Sequence, residues 1–100
     1  MKQAYSPPYA SKPKFELGQV VATPGALKDV SPLECGDALA RHLTGDWGDV
    51  CRHDWTENDV ALDGGGGRLL SVYYTEDGTK FWVITEADRS VTTVLLPEEY

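Results

Sequence analysis

The last third of the chain, "RLLSVYYTEDGTKFWVITEADRSVTTVLLPEEY" (68–100), constrains the fold more than any other stretch. Three runs within it, RLLSVYYT (68–75), KFWVIT (80–85) and VTTVLL (91–96), are rich in β-branched and aromatic residues and predict strands. Asp77-Gly78, between the first two, is the pair that a two-residue type I′ hairpin turn prefers. A two-residue turn pairs Glu76 with Thr79, which sets Tyr74 opposite Phe81 and Val72 opposite Val83. Leu70, Val72, Tyr74, Phe81 and Val83 then share one face, expected to pack under a helix. Leu69, Ser71, Tyr73, Trp82 and Ile84 share the other. That second face is too apolar to stand freely in water, so a cover is expected: the N-terminal segment, a second subunit or a target. Glu86 to Ser90 read as a hairpin connection, and Pro97 ends the third strand.

Upstream the periodicity is helical. In "SPLECGDALARHLTG" (31–45), Ser31 is a helix N-cap, Pro32 takes the first helical position and Glu34 completes a capping box. Leu33, Leu39, Ala40 and Leu43 fall on one face. Arg41 and His42 sit in the last turn, where the helix dipole favours positive charge, and Gly45 closes it. Val20 to Ala22 predict a short strand, and Thr23-Pro24 opens a helical turn or two. "DWGDVCRHDW" reads as a loop and "TENDVALDG" as a short helix capped by Thr56, stopped at the "GGGG" joint (64–67). The expectation is an α+β fold: a helical N-terminal half packed on a three- to four-stranded antiparallel meander. Residues 1–14, with Pro7, Pro8 and Pro13, read as a disordered tail, and 15–100 as a single domain.

Charge bounds the partners. Lys2, Lys12 and Lys14 leave residues 15–100 with 6 basic and 16 acidic side chains, a net of −10. That body repels phosphates, so nucleic acid is not expected as a generic ligand. A basic protein surface, or self-association, fits better. No apolar run approaches the roughly 18 residues of a membrane span, and no secretory leader is evident, so a cytoplasmic location with reduced thiols is expected.

Two sites compete. Asp46, Trp47, Asp49 and Trp55 lie in an acidic, tryptophan-bearing belt that would dock a basic protein, with Tyr73 and Trp82 of the second sheet face as further binding residues. Alternatively, metal-free RNA cleavage needs a base, an acid and a phosphate clamp, for which Glu86, His42 and Arg89 have the right chemistry, with Lys80 and Thr92 assisting. No metal or cofactor is expected: Cys35, His42, Cys51 and His53 run C-x6-H-x8-C-x-H, without the close ligand pairs of structural zinc.

"KFELGQVVATPGAL", "LARHLTGDWGDV" and above all "GTKFWVITEADRSVTTVLLPEEY" resemble a set of small uncharacterised proteins of bacterial plasmids and other mobile elements. The likeness covers most of 14–100, with the chain shorter or altered around "CRHDWTENDVALDGGGG". It implies a bacterial, mobile-DNA setting and no particular activity. The element order is also similar, at the level of fold, to barnase- and RelE-type ribonucleases, which is analogy and does not carry function. The expectation is a small acidic, mobile-element-associated, non-enzymatic protein-binding module; the alternative is a small metal-independent ribonuclease or toxin.

Overall fold

A computed structural model describes residues 12–100. The fold is α+β: β1 (Gln19–Ala22), α1 (Pro24–Asp29), α2 (Pro32–Leu43), α3 (Arg52–Val60), then β2 (Leu69–Tyr74), β3 (Lys80–Thr85) and β4 (Val91–Leu95). A short 3-10 turn, Pro97–Glu99, follows. Most of the tail expected over 1–14 lies outside the described residues. Lys14 already belongs to the body, its backbone N–H donating to Leu43 O at 2.8 Å.

The meander forms as expected, β2 and β4 flanking β3 antiparallel, but the sheet is mixed. Its order is β1-β4-β3-β2, and β1 joins β4 in parallel. A parallel neighbour needs a long crossover, which the three helices and the β2–β3 hairpin supply. The helices are thus bracketed by strands instead of making up the N-terminal half alone.

The register also differs by one residue. Tyr73 faces Phe81 and Val72 faces Trp82. The cause is the turn. Thr75 N donates to Thr79 O and Gly78 N to Thr75 O, so three residues, Glu76 to Gly78, make the loop. Gly78 sits at φ 92°, the left-handed residue that ends such a bulged hairpin. The Thr75 hydroxyl accepts from Thr79 N at 2.9 Å and bonds Asp77, local side-chain contacts that favour this loop over a two-residue one.

The slip re-sorts the faces. Leu69, Ser71, Tyr73, Phe81, Val83, Thr85, Thr92 and Val94 lie toward the helices, and all are buried. Tyr73 therefore leaves the outer face assigned to it, and Tyr74, expected in the core, is 49% exposed. The outer face carries Leu70, Val72, Trp82, Ile84, Thr93 and Leu95.

Helix α2 has the predicted capping box: Ser31 Oγ accepts from Glu34 N at 3.1 Å, and Glu34 Oε1 reaches back to Ser31 N. Its core stripe is Cys35, Ala38, Leu39 and His42, at helical spacing, while Leu33 stays 77% exposed. The reading that grouped Leu33 with Leu39 missed His42 as a core position. Helix α3 starts four residues before the expected Thr56 cap, at Arg52. The earlier start places Trp55 against Trp47 and Leu69 in a second apolar cluster and turns Asn58 to the edge of β2.

Candidate functional site

The proposed catalytic set is not assembled as an acid–base site. His42 is fully buried, and both its nitrogens are taken: Nδ1 lies 2.6 Å from Ser71 Oγ and Nε2 2.9 Å from Thr85 Oγ1. The proton order follows from the end of the chain of bonds. Thr92 Oγ1 must donate to the Leu17 carbonyl at 2.7 Å, since a carbonyl only accepts. Thr92 then accepts from Thr85 at 2.7 Å, and Thr85 in turn accepts from His42 Nε2–H. Nδ1 is left to accept from the Ser71 hydroxyl. Burial, and after it the charge of nearby Arg89, pushes His42 down to about 3. The expected cationic histidine of the helix end is therefore a neutral crosslink between α2 and strands β2, β3 and β4.

Arg89 is equally committed. It holds φ 61° in the β3–β4 loop, and its guanidinium donates to the carbonyls of Gly67 (2.8 Å), Glu86 (3.0 Å), Ala87 (3.1 Å) and Ala61 (3.4 Å). It fastens the glycine-rich connection to the hairpin. Glu86 pairs with Arg68 at 3.5 Å, and no hydrogen bond joins it to His42. "TEADRSVTT" is the connection and the strand after it, with Thr85 and Thr92 spent on the histidine.

The acidic belt is split. Trp47 is fully buried, with its indole N–H on Asp59 at 3.0 Å, and so presents no ring to a partner. Trp55 is half-buried in the same cluster. Asp46 grips Arg41 with both oxygens, at 2.8 and 3.3 Å, which holds its carboxyl below the usual range, and accepts from Gly48 N. Its carbonyl accepts from the Tyr73 hydroxyl at 2.6 Å. Asp49 is exposed and bonds Tyr74 Oη. These residues build the corner where residues 47–49 lie against β2. Gly48, at φ 75°, is required there because a Cβ would overlap the Val72 carbonyl.

The outer sheet face forms the remaining site. Trp82 is half-buried and meets Tyr100 edge to face, centroids 5.6 Å apart. Arg68, Leu70, Trp82, Ile84 and Tyr100 line an open cleft of about 270 Å³. Apolar walls with a few polar groups are what a recognition pocket needs. Arg68 forms the rim: Nη1 donates to Tyr100 Oη at 2.9 Å, the guanidinium carbon lies 5.5 Å from that ring, and Glu86 stands on its far side. Tyr100 is positioned from a distance. The preceding Glu99 carboxylate accepts from Thr23 Oγ1, from Gly25 N at 2.8 Å and from Leu96 N at 3.0 Å, which ties the turn to the start of α1. The bond from Thr23 first, then those from the backbone, hold Glu99 below the usual carboxylate range.

Sequence reasoning placed Trp82 on this face but missed Arg68 and Tyr100. The signal for Tyr100 was the "LLPEEY" ending, where proline after a strand starts a turn that can fold an aromatic back. Among the described residues no helix is long and apolar enough to cross a membrane, and no group of three or more His, Cys, Asp or Glu gathers for a metal. Comparison with protein-family models, with curated proteins and with solved structures found no match to this chain.

Proposed function

We propose that the protein is a non-enzymatic binding module, in the mobile-element setting its sequence resemblance implies, and that it takes a protein segment in the Trp82–Tyr100 cleft. The observation carrying this reading is the half-open aromatic cleft on a sheet face that the helices do not cover. Trp and Tyr are the residues most often anchoring protein contacts, and Arg68 adds a third such group at the rim. The partner is a basic segment that seats one apolar side chain in the cleft beside the Trp82–Tyr100 contact. Its Lys or Arg groups meet Glu86, within a body of net charge −10. The ribonuclease reading draws no support from a general acid sealed in the core or from an arginine spent on carbonyls.

The test is affinity capture from bacterial lysate with wild type, Trp82→Ala and Trp55→Ala as parallel baits, beside an RNA-cleavage assay. A bound protein retained by Trp55→Ala and lost by Trp82→Ala, with no cleavage, is the expected result. Capture indifferent to Trp82→Ala, or cleavage abolished by Glu86→Gln, would overturn the reading.

A further inference from the structure

The two edges of the sheet are finished differently. Along β2, every outward backbone group of Leu70 and Val72 has a partner. Asn58 Nδ2 donates to Leu70 O at 2.7 Å and Asn58 Oδ1 accepts from Leu70 N at 3.1 Å. Val72 N donates to Trp47 O at 3.0 Å, and Asp49 N donates to Val72 O at 2.8 Å. A side-chain amide and a loop thus stand where a fifth strand would.

Along β1 nothing does so among the described residues, where β4 is its only neighbour. Gln19 and Thr23 donate to Ser90 O and Val94 O on the β4 side, at 2.9 and 3.0 Å. Alternate residues of a parallel strand bond the same neighbour, so Val20 and Ala22 turn their N–H and C=O groups outward. The strand reads QVVA; it is short, but it carries no charge, no proline and no bulge. Val20 is 43% and Val21 38% exposed.

We propose that the outer edge of β1 pairs antiparallel with the same edge of a second copy, across a two-fold axis perpendicular to the sheet. The geometry sets the register. Such an axis keeps like faces on the same side, so facing residues must have the same parity in the strand. The outward groups belong to Val20 and Ala22. The register that uses both sets Val20 opposite the partner's Ala22, each pair exchanging both of its backbone bonds. Val21 then meets the partner's Val21 on the axis, in the close, non-hydrogen-bonded position.

A second copy is the occupant because QVVA is uncharged and self-complementary in this register, joining valine to valine with no like charges opposed. Since the outward groups of Leu70 and Val72 already have partners, the β2 edge offers no comparable ladder, and the assembly stops at two copies. A ladder this short falls below the ~1,200 Å² of a stable interface, so the dimer is weak and concentration-dependent. Each copy carries −7, and the paired edge itself carries nothing, so salt strengthens the association by screening the repulsion between bodies. A charge-paired interface would respond in the opposite sense.

The test is sedimentation velocity of the full chain over a concentration series, at about 20 mM and about 500 mM salt. Monomer converting reversibly to dimer is expected, with several-fold tighter association at high salt. Val20→Pro removes an outward N–H and leaves the bonds to β4, so it gives monomer at every concentration. Val21→Lys, which leaves the backbone groups in place and sets two like charges on the axis, carries the same expectation should the proline variant fail to fold. Val21→Cys, with Cys35→Ser and Cys51→Ser, gives a disulfide-linked dimer on mild oxidation. A chain monomeric throughout, a dimer that survives Val21→Lys, or a dimer that Val21→Cys does not crosslink would each overturn the proposal.

Discussion

His42 Nε2 stands 2.9 Å from Thr85 Oγ1, and the proton between them belongs to the histidine. That assignment follows from the Leu17 carbonyl at the far end of the relay, which can only accept. One buried imidazole therefore bonds α2 directly to β2 and β3 and, through Thr85, to β4.

Stability should fall on mild acidification, because of this residue. An unfolded histidine takes up its proton near the ordinary value of ~6.5. The folded protein withholds that proton from His42 until about 3. Between those values the unfolded chain binds more protons, so stability rises with pH and is lost as pH falls through the window. The full effect is on the order of 5 kcal/mol, at ~1.4 kcal/mol per pH unit. Chemical denaturation of wild type and His42→Gln between pH 7 and 5, above most of the carboxylate range, checks this. The wild-type midpoint should fall steadily and that of His42→Gln much less; parallel slopes would contradict it.

Asn58→Ala should cost roughly 1–2 kcal/mol, because it strands two part-buried backbone groups of Leu70 at once. It should also expose part of a strand edge, so aggregation on storage should rise. Urea denaturation and light scattering measure the two effects. A loss below about 0.5 kcal/mol would mean that water replaces the amide at no penalty.

The tryptophans should separate optically and energetically. Trp47 is fully enclosed, whereas Trp55 and Trp82 are partly open. In single-tryptophan variants, acrylamide should quench Trp82 and Trp55 and spare Trp47. Trp47→Ala should lose about 3–5 kcal/mol, in the range of a large core truncation, and Trp82→Ala clearly less.

Gly48 and Gly78 both hold positive φ, with different surroundings. A Cβ on Gly78 meets open space, so Gly78→Ala should cost about 1–2 kcal/mol from backbone strain alone. At Gly48 the same atom collides with the Val72 carbonyl, so Gly48→Ala should be several times more damaging. Thermal melts of the two variants make the comparison.

What the sequence disclosed was mostly local. The Ser31–Glu34 cap, the three strands of the meander and the β3–β4 connection are each written within a few residues, and each formed. The register was missed because two turn chemistries compete at Asp77-Gly78, and the Thr75 hydroxyl decides between them. From sequence His42 reads as a helix-end cation because its partners, Ser71 and Thr85, lie 29 and 43 residues away. The parallel placement of β1 is equally non-local: QVVA states a strand but not its neighbour. For the cleft, Trp82 was legible, while Tyr100 depends on a fold-back that Glu99 anchors far upstream.

The Glu99 anchor makes the wall of the cleft and the start of α1 parts of one lever. A displacement of Tyr100 away from Trp82 would load the Glu99 bonds to Thr23 and Gly25, within three residues of the end of β1. One carboxylate thus holds both the wall of the cleft and the first turn of α1.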